Sequence, residues 1–266
     1  MTARPSSSAS PVTPAGQSLS PASCSPLVLS LFPWIGLLDQ AFEEEGFIIV
    51  RGPDLIWGGD IRNFHPPAGK FAGIIGGPPC QRFSGLGNVN IARWGDDSVM
   101  PDMIPDYARC VAEAQPEWFV MENVPTVPVP EIEGYEIVSR LCDNRWCGGE
   151  QRRRRRFTFG AKEGASRFHI QPAALEAVDE LPTVVSTGQA DWKGSAQRNR
   201  ARIAYMAEAQ GIDPARFEKT PFTTTELRRA IANGVPLPMG RAVARAVRAA
   251  MYSGNSANHR SNVTKP

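Results

Sequence analysis

The sequence predicts an α/β fold: a doubly wound, mostly parallel sheet with helices on both faces and a small region inserted late in the chain. Two observations carry this. Short apolar runs alternate with stretches of helical spacing through the first half of the chain, as in sheets built from strand–helix–strand units. The length, 266 residues, suits one full domain of this kind plus a small appendage.

Residues 1–25 are rich in Ser, Pro and Ala, bury too little to offset ordering entropy, and are predicted to be a disordered tail. The run at 26–32 reads as the first strand, and 37–45 has helical spacing that Gly46 stops. A second strand follows at 47–50. A third, at 71–75, ends on Gly76-Gly77-Pro78-Pro79. Helical spacing returns at 103–114, and 117–121 reads as the fourth strand. From about 161 to 200 the chain turns polar and basic. Helices are expected near 199–210 and 239–251, and 254–266 as a frayed tail. Ligands of such sheets sit beyond the carboxyl ends of the strands. Phe32-Pro33-Trp34, Gly77-Pro78-Pro79-Cys80 and Glu122-Asn123-Val124 each follow a strand, so they are predicted to converge on one cleft.

The formal net charge of +2 conceals a split: residues 1–150 carry 9 Lys+Arg against 18 Asp+Glu, and 151–266 carry 20 against 9. A basic second half points to a polyanionic partner. Nucleic acid suits it better than a membrane, because no basic amphipathic helix with bulky aromatic anchors is present. No apolar run reaches membrane-spanning length and no signal pattern opens the chain, which we read as a cytoplasmic protein. Five unevenly spaced cysteines argue against a disulfide framework. Cys142 and Cys147 lack a second ligand pair and read as core thiols rather than a zinc site, so no metal is expected.

The loop Gly76-Gly77-Pro78-Pro79-Cys80-Gln81 holds a cysteine at a strand end, where it would project into the cleft. From the loop alone, nucleophile and buried structural thiol stand level. Glu122, at the end of the next strand, reads either as a general acid in a closed pocket or as a helix cap. Arg152 to Arg156 are five consecutive arginines entering the apolar run 157–159. If they continue into a strand, Arg153 and Arg155 share one face and Arg152, Arg154 and Arg156 the other. One face would then enter the pocket while the other grips phosphates, unless the run is only a solvated face.

In order along the chain, Pro79-Cys80-Gln81, Glu122-Asn123-Val124 and Gln151-x-Arg153-x-Arg155 resemble the three most diagnostic motifs of the DNA cytosine-C5 methyltransferase family, especially its short phage-type members. The resemblance runs from about 27 to 251. It implies the S-adenosylmethionine-dependent methyltransferase fold, with a catalytic and cofactor-binding domain over 26–160, a target-recognition region over 161–213, and a segment over 214–253 that completes the catalytic domain. It also implies S-adenosylmethionine as methyl donor, double-stranded DNA as partner and a monomer, within a bacterial or phage-infected cell and a restriction-modification or phage setting. Cys80 would add to cytosine C6, Glu122 would hold N3, Arg155 the ring carbonyl O2, and Arg153 would steady the Cys80 loop.

Phe32-Pro33-Trp34-Ile35-Gly36 lies where the family has its Phe-x-Gly-x-Gly cofactor loop. The resemblance gives Asp54 to the ribose, Asp60 and Ile61 to the adenine, and Pro78, Asn233 and Val235 to the same pocket. Asn233 and Val235 lie in Ala232-Asn233-Gly234-Val235-Pro236, which resembles the family's Gly-Asn-Ala-Val-Pro. DNA contacts are expected from Gln81, Ser84, Arg152, Arg154, Lys193 and Arg198. Three departures stand out: Trp34 and Leu37 replace glycines of the cofactor loop, and Leu55 replaces an aromatic that stacks on adenine. Two rival readings remain: the same chemistry on RNA, and a nucleic-acid-binding member with impaired cofactor binding. The target sequence is not legible.

Overall fold

The computed structural model describes residues 26–173, 183–184 and 196–252, without the side chains of 86 and 196–198. The tails expected at 1–25 and 254–266 lie outside the described residues, as does most of 174–195. The described strands are β1 (Leu27–Leu31), β2 (Ile48–Arg51), β3 (Gly73–Gly76), β4 (Trp118–Asn123), β5 (Glu136–Asp143) and β6 (Arg154–Ala161). The described helices are α1 (Leu37–Glu44), α2 (Gly85–Trp94), α3 (Ile104–Ala114), α4 (Ala196–Ala209), α5 (Thr224–Asn233) and α6 (Leu237–Tyr252). The first four strands agree with their apolar runs to within two residues at each end.

These strands form one sheet in the order β2-β1-β3-β4-β6-β5. β1 lies between β2 and β3, parallel to both, and β3 is parallel to β4. The chain therefore winds outward in both directions from β1, which opens a crevice at the carboxyl ends of β1 and β3. β6 runs antiparallel between β4 and β5. This reversal positions the site, because Glu122 pairs with Phe157 and Asn123 with Arg156. The amino end of β6, where the arginines are, thus meets the carboxyl end of β4. A parallel β6 would carry them to the opposite edge.

Side chains alternate across the sheet. Val28, Ile75, Trp118, Val120, Phe157 and Phe159 join α1 and α6 residues, among them Phe42, Met239, Val243 and Val247, in one core. Leu29, Leu31, Ile74, Phe119 and Met121 join Tyr107, Cys110 and Val111 of α3 in the other. A third cluster packs α4 and α5 against the start of α1, through Ile203, Met206, Ile231 and Leu37.

Glycine makes room for the aromatic side chains. Phe119 pairs with Gly160 across β4 and β6, and a Cβ on Gly160 would stand 2.1 Å from Phe119 Cε1. Gly160→Ala is therefore expected to destabilise the chain by roughly 1–3 kcal/mol through overpacking. The check is a lower urea midpoint with an unchanged denaturant slope.

Candidate active site

The segments after β1, β3 and β4 do converge. They line a cleft of about 870 Å³ that also takes in Asp54, Asp60, Ile61, Arg153, Arg155, Asn233 and Val235. Phe32, Trp34, Ile35, Pro78, Cys80, Gln81, Ser84 and Glu122 line it as well. Gly36 does not: it is buried, caps α1 with φ 75°, and its amide donates to Pro33 O at 2.7 Å. Its role is to turn the chain into α1. Arg152 and Arg154 are exposed and are not among the residues that line the cleft. Lys193 and the Arg198 side chain lie outside the described residues.

The Cys80 loop is tied to β4 and to the chain beyond α2. Asn123 Nδ2 donates to Pro78 O at 3.0 Å, and Met100 N donates to Gln81 Oε1 at 3.0 Å. Ser84 caps α2, accepting from Gly87 N at 2.9 Å. Cys80 is partly exposed and Glu122 is 9 % exposed. Arg155 Nε lies 2.8 Å from Glu122 Oε1. Arg156, on the other face of β6, donates to Pro125 O and Ser139 Oγ, fixing the loop after Glu122.

Arg153 is 3 % exposed. The family resemblance implies that it steadies the Cys80 loop, but it donates to Val184 O at 3.1 Å, Ala232 O at 2.7 Å and Gly234 O at 3.4 Å. It braces the cleft wall to the inserted region. Among the described residues its buried Nε has no hydrogen-bond partner.

Burial pushes the Cys80 thiol up, and the Glu122 carboxylate pushes it further; Arg155 and Arg153 pull it down. Burial likewise raises Glu122 against the same two guanidinium groups. A thiol, a carboxyl group biased toward its neutral form and two cations thus surround one space. They can add a nucleophile to a planar, amide-like ring, supply a proton at a ring nitrogen and hold a carbonyl oxygen.

The far side of the cleft is set by two aspartates. Asp54, 8 % exposed, accepts from Trp34 N at 2.9 Å and Ile56 N at 3.0 Å. Asp60 reaches the cleft, but its carboxylate is held by Arg62 at 2.5 Å. Trp34 and Phe32 adopt positive φ, 52° and 55°.

Sequence reasoning missed two glutamines. Gln151 donates to Ala209 O at 3.0 Å and accepts from Val184 N, while Gln210 donates to Ile231 O at 2.9 Å. Both are fully buried. Gln151 is legible in the sequence only as the first letter of a motif, and Gln210 carries no such mark.

Residues 57–208 match the family described as C-5 cytosine-specific DNA methylase. Type II methyltransferase M.HgiDI of Herpetosiphon aurantiacus is 34% identical over 109 residues, covering 35% of this chain and 31% of its own. Type II methyltransferase M.XorII of Xanthomonas oryzae pv. oryzae is 31% identical over 246 residues, covering 72% of this chain and 55% of its own. The chain thus spans about a third to a half of these relatives' lengths. Among solved structures, S. pombe Dnmt2 methyltransferase matches with a TM-score of 0.56 and 13% identity over 84% of this chain and 98% of that one, a likeness of fold.

Proposed function

Since the chain belongs to the C-5 cytosine-specific DNA methylase family, we propose that it transfers a methyl group from S-adenosylmethionine to C5 of cytosine in double-stranded DNA, with Cys80 as covalent nucleophile. The observation that carries this reading is the meeting of Cys80, Glu122, Arg153 and Arg155 in one cleft at the carboxyl ends of β3 and β4.

The residues present suit the cofactor. The walls are apolar through Leu31, Ile61 and Val235, and Asp54 presents a buried carboxylate. The size lies within the range of small-molecule sites and leaves room for a base beside the cofactor. Phe32, Trp34, Asp54, Asp60, Ile61, Pro78, Asn233 and Val235 would hold it. When bound, S-adenosylmethionine supplies an electrophilic methyl group on a sulfonium.

C5 of an aromatic cytosine is too weakly nucleophilic to take that methyl unaided. The Cys80 thiolate adds to C6 and moves electron density to C5. Glu122 protonates or holds N3, taking up the charge that develops on the ring. Arg155, already oriented by its contact with Glu122, holds O2. After transfer, a water molecule takes the C5 proton, its bonding pair reforms the C5–C6 double bond and expels the thiolate, and N3 returns its proton to Glu122, which restores aromaticity. The base must leave the duplex to reach Cys80, at a cost of about a few kcal/mol. Arg152 and Arg154, exposed beside the cleft, are placed to grip phosphates.

The test is incubation with tritiated S-adenosylmethionine and either duplex DNA of mixed sequence or tRNA. Label on cytosine C5 of the DNA is expected. Label confined to tRNA would replace the substrate and keep the chemistry. No label on either, with no binding of S-adenosylhomocysteine, would sink the reading.

A further inference from the structure

Three consecutive carbonyls at the carboxyl end of α5 are capped from three distant parts of the chain. Ala230 O accepts from Trp34 Nε1 at 3.0 Å, Ile231 O from Gln210 Nε2 at 2.9 Å, and Ala232 O from Arg153 Nη2 at 2.7 Å. The last four carbonyls of a helix have no donor within it; the caps on Ala230 O and Ala232 O satisfy groups that the helix leaves bare, while Ile231 O also accepts from Gly234 N at 3.2 Å. Arg153 belongs to a segment that resembles a family motif. Trp34 stands where the family carries glycine, and its indole reaches 196 residues along the chain.

We infer that Trp34 is a positioning residue that fastens the loop 32–36 to the end of α5 and so holds the cofactor subsite in its binding shape, an inference that rests on the proposed reading of the cleft. Its backbone has φ 52°, a conformation that L-residues avoid. Bonds on both sides hold it there: Trp34 N donates to Asp54 Oδ2 at 2.9 Å, and Trp57 Nε1 donates to Trp34 O at 3.2 Å. Asp54 is thereby linked through Trp34 to α5.

Bulk across the same junction is matched. Leu37 stands in place of another family glycine, while Gly234 stands where the related segment has alanine. A Cβ on Gly234 would lie 2.4 Å from Leu37 Cδ1. Leu37 and Gly234 are thus fitted to one another, since any side chain at 234 would collide with the leucine. Trp34, Asn233 and Val235 line one cleft, so releasing the indole loosens one wall against the other and leaves the junction to the Leu37–Gly234 contact and the bond from Arg216 Nη2 to Ile35 O at 3.1 Å.

The test is calorimetric titration of the full chain with S-adenosylhomocysteine at 15 °C, beside thermal unfolding. Trp34→Phe keeps a ring and removes the N–H; it is expected to weaken binding roughly three- to tenfold, the scale of one hydrogen bond. Gly160→Ala, destabilised away from the cleft, is expected to bind as the wild type does. Equal binding by Trp34→Phe and wild type would overturn the inference alone. So would equal weakening in Gly160→Ala, which would mark a general effect of stability, and so would tighter binding by Trp34→Gly, which would make the indole an obstruction. Failure of the wild type to bind would overturn the inference together with the cofactor reading of the cleft.

Discussion

Cys80→Ala is expected to lose methyl transfer to DNA by a factor on the order of 10⁴ to 10⁶, the scale seen when a covalent nucleophile is removed. Without addition at C6 nothing raises the nucleophilicity of C5, so remaining contacts hold the reactants without opening a path between them. The cofactor subsite should survive the change. Cys80 is partly exposed, while the cofactor walls come from the loop 32–36, Asp54 and the 232–235 segment. Calorimetry with S-adenosylhomocysteine should therefore return a wild-type affinity. Near-wild-type label incorporation by Cys80→Ala would remove the covalent mechanism and leave Cys80 as a structural thiol. Lost transfer accompanied by lost cofactor binding would instead mean that the loop itself had collapsed.

The parts of this fold that the sequence shows plainly are those buried on both faces. β1, β3 and β4 read as continuous apolar runs because α1 and α6 cover one face of the sheet and α3 the other. β5 escaped because it is half exposed and carries Glu136 and Arg140 within it, which breaks both the run and the alternation. α2 contains Gly85 and Gly87, poor helix formers, and is announced only by its Ser84 cap. α5 carries a local start signal in the sequence, since Thr223 and Glu226 form a capping box.

Legibility in the site follows the same division between local and distant. Alternation along the arginine run placed Arg153 and Arg155 on the cleft face, since side-chain period is a local property. The direction of β6 is a tertiary outcome, and so are the partners of Arg153, which lie 31, 79 and 81 residues away. Gly36 and Trp34 illustrate the converse. A motif position predicts contact with a ligand, but the conformation at that position decides which residue makes it. Gly36 spends its positive φ on starting α1, whereas Trp34 takes up a glycine-like conformation and keeps a side chain to use.

Glu122→Gln separates the acid from the nucleophile. Transfer at neutral pH is expected to fall by roughly 10²- to 10⁴-fold, the contribution of a positioned general acid, because glutamine has no proton to yield to N3. Two other quantities should move the opposite way. The Glu122 carboxylate stands against thiolate formation at Cys80; with a neutral side chain there, the pH midpoint for iodoacetamide alkylation of Cys80 should shift down. Stability should rise as well. Burial holds Glu122 above the usual carboxylate value in the folded chain, so what its neutral form contributes is fully present below the unfolded glutamate value and is lost as pH climbs through the folded one. Glutamine loses nothing over that range. The melting temperatures of the two proteins should therefore coincide in acid and separate, with the variant higher, toward pH 8. A more reactive thiol in a more stable yet slower enzyme is the signature of a carboxyl group kept for chemistry at the expense of the fold. Retention of wild-type transfer by Glu122→Gln would strip Glu122 of that role and leave it as the partner that orients Arg155.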